Sequence, residues 1–152
     1  MSSKWYLKIA KLMKTLNVDF VVDINDEILK DILKYKPLLV KPNEDEIRNI
    51  FNHQGYLSKS DLVYYGKKLQ ALGARYVIIS LGEKGSMFFN KNQVYTSKNL
   101  NCEVISTVGA GDSMVAGFIA EYRKSQDALL AYKMAKPVAM RPHFQKKLQT
   151  RP

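Results

Sequence analysis

The chain has 152 residues, 46% of them hydrophobic, and a formal net charge of +10. This length allows one domain with a well-formed core, and the apolar content argues against a disordered chain. No apolar run is long enough to span a membrane, and the first residues lack the pattern of a secretory signal. The single cysteine, Cys102, excludes an internal disulfide and a multi-cysteine metal site. A cytoplasmic protein with no membrane partner is therefore expected.

The positive charge is concentrated at the end of the sequence. Residues 133–152 contain six lysines and arginines and no acidic residue, which leaves +4 (+10 less six) for the rest of the chain. Basic tails bind polyanions in some proteins but are more often simply solvated, and no nucleic-acid-binding motif accompanies this one. Specific nucleic-acid binding is therefore not expected, and a polyanion-binding module is the least favoured of the functions considered.

The first half of the sequence alternates predicted helices with predicted strands. Apolar residues at three- and four-residue spacing between Trp5 and Leu16 indicate an amphipathic helix, capped at Ser2 or Ser3. The next elements are a strand within 18–24, a helix over 25–35 capped by Asn25, a strand at 38–40, a helix opened by Asn43, a helix opened by Ser58 or Ser60 and ended by Gly73, and a strand at 76–81. Strands separated by helices predict crossover connections and a parallel sheet.

The pattern changes after residue 81. Segments 86–90 and 94–97 predict a β-hairpin, and a strand at 102–106, a glycine-rich turn and two helices, about 112–124 and 127–135, follow it. Residues 136–152 contain three prolines and no periodicity, so no regular structure is predicted there. An α/β chain of this kind normally begins with a strand, whereas this one begins with a predicted helix. We therefore expect the chain to be the second part of a larger protein.

Residues 106–119 carry the most informative pattern, a strand end followed by small residues and a helix start. Gly109, Ala110 and Gly111 allow a ligand to approach the backbone closely, and the unpaired N–H groups of the first helical turn attract an anion. Asp112 lies where that anion would lie. On helix chemistry alone, Asp112 is more simply explained as a cap than as a catalytic group. Ala116 and Gly117 predict close packing against another backbone.

This segment resembles, at every position of its pattern, the C-terminal signature of the phosphofructokinase-B (pfkB) family of sugar kinases, whose core is Gly-Ala-Gly-Asp. In that family the aspartate accepts the proton of the attacking sugar hydroxyl, and the preceding backbone amides form an anion hole for the phosphoryl group. The resemblance implies the first role for Asp112 and the second for Gly109, Ala110 and Gly111. Phosphoryl transfer depends on positioning and charge stabilisation more than on covalent catalysis, which agrees with these roles.

Two further segments resemble the same family. Asn43 and Glu46 match its Asn-x-x-Glu motif, which helps to hold Mg2+ and the ATP phosphates, although the pair also fits a capping box and the residues alone favour capping. Segment 80–85 resembles the loop that brings backbone and a small hydroxyl near the nucleotide; its alternative is an ordinary turn. The resemblance implies Glu46 at the metal and the following residues at the nucleotide: Asn43, Ser80, Leu81, Gly82, Glu83, Lys84, Gly85, Gly111 and Asp112.

The resemblance covers about residues 5–135 and implies an α/β, ribokinase-like three-layer fold with a mostly parallel sheet. It also implies ATP and Mg2+ as cofactors and a sugar phosphate as substrate. Lys41-Pro42-Asn43 and the 80–85 loop are most similar to the 1-phosphofructokinase branch, so fructose 1-phosphate is the expected substrate. Tagatose-6-phosphate kinase, or another sugar kinase of the family, is the near alternative. An inactive nucleotide- or partner-binding fragment is the alternative of another class. The full-length family form also allows a homodimer.

Two departures from the family limit what this chain is expected to do. Family members are considerably longer at the N-terminus, where an extra sheet forms a lid and supplies most sugar contacts. From Lys136 onward the sequence also leaves the family pattern. We therefore expect residues 1–135 to form the C-terminal ATP-binding and catalytic part of a sugar kinase, an incomplete fold without the N-terminal half and lid. Residues 136–152 are expected to form a basic tail outside it.

Overall fold

A computed structural model describes residues 2–25, 27–98 and 110–135. The chain divides into two compact units, Met1–Lys98 and Asn99–Pro152, which are described separately. Within these described ranges, no helix has the length and apolar character needed to cross a membrane.

Among its described residues, the first unit contains four α-helices and five strands. The helices are α1 (Ser3–Thr15), α2 (Leu29–Leu33), α3 (Glu44–Phe51) and α4 (Lys59–Leu72). The strands are β1 (Val21–Val22), β2 (Leu39–Val40), β3 (Tyr76–Ser80), β4 (Ser86–Asn90) and β5 (Gln93–Ser97), with a 3-10 turn over Gly82–Lys84. In the second unit, α5 (Ala110–Ser125) is followed by α6 (Ala128–Met134).

The five strands form one sheet in the order β1-β2-β3-β4-β5. β1, β2 and β3 are parallel, with Val40 opposite both Val22 and Val77. β4 and β5 are antiparallel and form the predicted hairpin. The first strand of the hairpin, β4, pairs with β3, also in antiparallel orientation. The α/β fold and the parallel arrangement of the first three strands are therefore confirmed. Because the carboxyl ends of β1, β2 and β3 lie at one edge, the residues that follow them come close together.

The core of the first unit lies between the sheet and the helices. Leu33, Val40, Val77, Ile79 and Phe89 are completely buried within one hydrophobic cluster. α4 approaches β4 so closely that a Cβ at Gly66 would overlap the ring of Phe89.

Capping residues set the starts of α3 and α4. Both helices begin with a capping box, Asn43 with Glu46 and Ser58 with Asp61. In the second box, the backbone N–H of Ser58 donates to the Asp61 carboxylate over 2.9 Å. That hydrogen bond, with a further contribution from the Ser58 side chain, holds the pKa of Asp61 below its ordinary value. Of the two predicted N-cap residues of α4, Ser58 and Ser60, the structure therefore has Ser58. Gly73 ends the helix as predicted.

Several predicted boundaries differ from the structure, most clearly those of α2, β1 and α5. α2 begins at Leu29 rather than after Asn25, at the point where its side chains enter the core, so the predicted Asn25 cap is wrong. β1 has two residues, fewer than the predicted segment, because it pairs with the equally short β2. α5 begins at Ala110, two residues before the predicted start. The predicted strand at 102–106 lies outside the described residues.

The second unit is held together by packing of α5 against α6. Phe118 and Tyr122 stack at 5.8 Å and are both buried. A Cβ at Gly117 would lie 3.3 Å from the Ala135 Cα, so the predicted close packing of Gly117 is confirmed, whereas Ala116 is exposed. The Asp127 carboxylate accepts a hydrogen bond from the Leu130 N–H and caps α6.

Candidate functional site

The Asn43 segment follows β2 directly at the carboxyl edge of the sheet. The Asn43 side-chain oxygen accepts from the Glu46 N–H, and Glu46 Oε2 accepts from the Asn43 N–H, both over 2.9 Å. The capping interpretation of this pair is therefore confirmed. Both side chains keep further hydrogen-bonding capacity, because a carboxylate has about four acceptor positions and the Asn amide retains its NH2 donors.

The loop at 80–85 is joined to the Asn43 segment. Asn43 and Ser80 form an isolated parallel bridge, and the Ser80 N–H donates to the Pro42 carbonyl over 3.0 Å. Two motifs that are well separated in sequence therefore meet beyond the ends of β2 and β3. This is the edge at which open α/β sheets generally bind ligands.

The loop itself is a closed turn with exposed side chains. The Leu81 N–H donates to the Gly85 carbonyl over 2.9 Å, and Gly82, Glu83 and Lys84 between them are exposed. Lys84 Nζ lies 3.9 Å from a carboxylate oxygen of Glu44, in the first turn of α3. The loop thus presents a cation and backbone groups next to the Asn43 helix start.

An ion pair with a buried lysine lies at the same edge of the sheet. Lys41 Nζ is 3.6 Å from Asp23 Oδ2, with the Lys41 side chain 9% and the Asp23 side chain 34% exposed. Both residues directly follow a strand, and the register that pairs Val22 with Val40 makes them neighbours. Sequence reasoning named neither as a site residue; the available signal was their position immediately after two parallel strands.

Asp112 lies in the second unit as the third residue of α5, and its side chain is exposed. Ala110 and Gly111 belong to the same first turn, so the prediction of a turn before the helix is wrong for these two residues. The N–H groups of a first turn lack helical partners and carry the positive end of the helix dipole, whether or not a turn precedes them. As the third residue of α5, Asp112 lies inside the helix and is not its N-cap residue. Gly109 lies outside the described residues.

The described side chains near Glu46 do not form a complete set of metal ligands. No group of three or more His, Cys, Asp or Glu side chains that could hold a metal occurs in the described part of the chain. Mg2+ usually keeps several waters and is bound through one or two carboxylates together with substrate phosphates. Glu46 fits that mode, in which it would be a carboxylate ligand or would hydrogen-bond to a metal-bound water.

The chain matches a known family over most of its length. Residues 1–141 match the pfkB family of carbohydrate kinases. The chain belongs to the pfkB family. It is 35% identical over 145 residues to the 1-phosphofructokinase of Bacillus subtilis, covering 95% of this chain and 48% of that protein. It is 31% identical over 116 residues to the D-tagatose-1-phosphate kinase of Bacillus licheniformis, covering 76% of this chain and 38% of that one.

The fold agrees with solved structures of the same family. A candidate phosphofructokinase from Staphylococcus aureus superposes with a TM-score of 0.80 at 35% identity, over 89% of this chain and 44% of that one. The ribokinase-like fold is thus established for this pfkB chain. It spans about half the length of the curated relatives that it matches.

Proposed function

We propose that this chain carries the ATP-binding and phosphoryl-transfer part of a sugar-phosphate kinase that converts fructose 1-phosphate into fructose 1,6-bisphosphate. The observation that supports this most directly is the bridge between Asn43 and Ser80, because it joins two family motifs at the ligand-binding edge of the sheet. Residues 1–135 form this catalytic part in the proposal, and residues 136–152 form a tail outside it.

Asp112 is the catalytic base in this proposal. Its carboxylate accepts the proton of the attacking sugar hydroxyl, the new oxygen–phosphorus bond forms, and the bond from the γ-phosphorus to ADP breaks. Gly109, Ala110 and Gly111 supply backbone N–H donors to the transferring phosphoryl group. Donors fixed in a helix start need no reorganisation during the reaction, which is the main source of such stabilisation.

The nucleotide phosphates lie in this proposal against the Asn43 segment and the 80–85 loop. Asn43 donates through its side-chain amide, and Ser80 through Gly85 supply backbone groups, a small hydroxyl and the Lys84 cation. Bound Mg2+ supplies charge neutralisation of the phosphates, and Glu46 holds it, partly through water.

The substrate assignment rests on the relatives. The Bacillus subtilis relative is named for fructose 1-phosphate and the Bacillus licheniformis relative for tagatose 1-phosphate. A tagatose phosphate is therefore the second candidate substrate, with its phosphate on carbon 1 in that relative rather than on carbon 6. We place the whole enzyme in the cytoplasm. An inactive nucleotide-binding fragment is the alternative of another class.

Glu46→Gln separates the metal role from the capping role. A capping box accepts Gln in place of Glu, so the melting temperature should change little. The loss of a metal-side carboxylate should weaken binding of MgATP about tenfold, while binding of ATP without Mg2+ changes much less. Calorimetric titration of the variant measures both affinities, with Asp45→Asn in the same helical turn as the matched control. Equal MgATP affinity in Glu46→Gln and the parent chain would reject the metal role of Glu46.

A further inference from the structure

The first turn of α3 carries three acidic side chains in a row, Glu44, Asp45 and Glu46. Negative charge at this position suits the positive end of the helix dipole. The same three residues lie beside the 80–85 loop, against which the proposed function places the phosphates of a nucleotide, and like charges repel each other. The contacts of each carboxylate therefore decide which of the three acts on a bound nucleotide.

Two of the three carboxylates turn toward their own helix. An oxygen of Asp45 lies 2.7 Å from a guanidinium nitrogen of Arg48, and the Asp45 side chain is 88% exposed. Water and the Arg48 cation therefore screen this charge. Glu46 accepts the hydrogen bond of the Asn43 N–H in the capping box and is the proposed metal-side carboxylate. Neither arrangement directs the carboxylate at the 80–85 loop.

Glu44 is different, because its contact crosses to the loop. Its carboxylate oxygen lies 3.9 Å from Lys84 Nζ, with the Glu44 side chain 25% and the Lys84 side chain 66% exposed. This distance is too long for a hydrogen bond, so the attraction is electrostatic and weak. Glu44 is fixed in the first residue of a helix and partly enclosed, whereas Lys84 has a long flexible stem in solvent. Lys84 can therefore leave Glu44, but Glu44 cannot follow it.

The contact matters because Lys84 is also the cation offered to the phosphates in the proposed function. When Lys84 turns to a phosphate group, Glu44 stays behind as a partly enclosed carboxylate without its counter-ion. Its repulsion of the nucleotide then grows with the negative charge on the phosphates. Bound Mg2+ cancels about half of that charge in ATP. The penalty imposed by Glu44 is therefore larger for the metal-free nucleotide than for the metal-bound one.

We propose that Glu44 is a specificity-determining residue of the nucleotide site, which disfavours metal-free ATP and so selects the metal-bound form. This inference rests on the proposed function, because it needs the phosphates to lie at the 80–85 loop. It gives two neighbouring glutamates complementary effects. Glu46 increases the affinity for MgATP, whereas Glu44 lowers the affinity for ATP without Mg2+, and both raise the preference for the same form.

Glu44→Gln tests this role, because it removes the charge and keeps the side-chain length and the capping box of Asn43 with Glu46. The full 152-residue chain, labelled with ¹⁵N, is titrated with ATP in excess EDTA and separately with MgATP, and the amide signals of residues 81–85 are followed by NMR. We expect metal-free ATP to bind about tenfold more tightly than in the parent chain and MgATP about threefold more tightly, since MgATP carries about half the charge. The preference for MgATP should therefore fall about threefold.

Asp45→Asn is the matched control. It removes the same charge from the same helical turn, but from a side chain that is exposed and paired with Arg48. It should change the affinity for either form of ATP less than about twofold. Circular dichroism melting shows that both variants are folded at the temperature of the titration.

The outcomes separate this inference from the proposed function. Equal gains in Glu44→Gln and Asp45→Asn would show a general effect of net charge and overturn the role of Glu44. The role is also overturned if Glu44→Gln binds metal-free ATP no more tightly than a parent chain whose loop signals respond to MgATP, and the proposed nucleotide site then stands. A parent chain whose loop signals respond to neither form would overturn the proposed nucleotide site itself, and the role of Glu44 with it.

Discussion

The ammonium of Lys41 lies 3.6 Å from the carboxylate of Asp23, across the ends of two neighbouring parallel strands. Lys41 is almost fully buried, so its charge has lost most of its hydration, and Asp23 compensates for that loss. The ion pair therefore links the ends of β1 and β2 and holds the Lys41 charge two residues before Asn43.

Asp23→Asn should destabilise the chain, because it leaves the Lys41 charge buried without an anion. We expect a loss of about 1–2 kcal/mol in the free energy of unfolding, less than for a fully buried pair because Asp23 is about one-third exposed. Urea denaturation measures the loss. Asp31→Asn is the matched control, since its partner Lys34 is exposed, and it should cost under about 0.5 kcal/mol. Equal costs for both variants would show that burial of Lys41 is irrelevant to stability.

Asp112→Asn should reduce turnover about 10²- to 10⁴-fold in the kinase assembled from this chain and the complementary half, because the substitution removes the proposed base. Nucleotide affinity should change little. Asp127→Asn, the control in the same unit, keeps a good N-cap residue at α6 and should leave turnover unchanged. A coupled assay of ATP consumption measures both. Near-normal turnover with a lowered melting temperature in Asp112→Asn would assign Asp112 a structural role.

The two glycines of the 80–85 loop should respond differently to alanine. Gly85 has φ +105° and a Cβ there would overlap the Ser97 carbonyl, so Gly85→Ala should cost about 2–4 kcal/mol and weaken nucleotide binding. Gly82 has φ +58° and open space around it, so Gly82→Ala should cost about 1 kcal/mol. Thermal melting and calorimetric titration compare them. A larger loss in Gly82→Ala would contradict this account of the loop.

The cap of α4 should make stability depend on pH. The hydrogen bond from the Ser58 N–H lowers the pKa of Asp61 in the folded chain, so the ionised form stabilises folding above the unfolded pKa. That contribution is lost as the pH falls through the folded pKa. Asp61→Asn should therefore lower the melting temperature at pH 7, and the difference from the parent chain should shrink on acidification below the ordinary aspartate range. A difference that is constant with pH would exclude ionisation of Asp61 as its source.

The 152-residue chain alone should bind MgATP weakly and show no ATP consumption stimulated by fructose 1-phosphate. The proposed phosphate-facing groups are within it, whereas the family resemblance implies that the lid and most sugar contacts lie outside it. The substrate would then be neither positioned nor shielded from water. Calorimetry and a coupled assay with and without sugar phosphate test this. Robust sugar-stimulated turnover would refute the expectation of an incomplete site while leaving the kinase assignment intact.

Local chemistry explains which parts of the fold were predictable. The Asn43 and Ser58 caps, the Gly73 stop and the hairpin each depend on residues close in sequence, and all four are confirmed. The α2 start was not predictable in this way, because burial of Leu29 outweighs a capping side chain at Asn25.

Features that depend on strand order could not be read from the sequence. The ion pair of Asp23 with Lys41 requires that β1 lie beside β2 in one particular register, which no local pattern specifies. The helical periodicity of α1 likewise predicted an amphipathic helix without indicating that Trp5 and Leu12 would remain exposed. The roles of Asp112 and Gly109 stay predictions drawn from the family resemblance.

The order of the sheet has a consequence for how the chain folds. Because the strands lie side by side in the sequence order, each new strand needs only the one synthesised before it, and the longest closure between paired strands joins β2 to β3. Loop-closure entropy grows slowly with loop length, so pairing neighbours in sequence keeps the cost of each added strand small. The first unit can therefore assemble progressively as it leaves the ribosome, strand upon strand, without waiting for residues beyond Ser97.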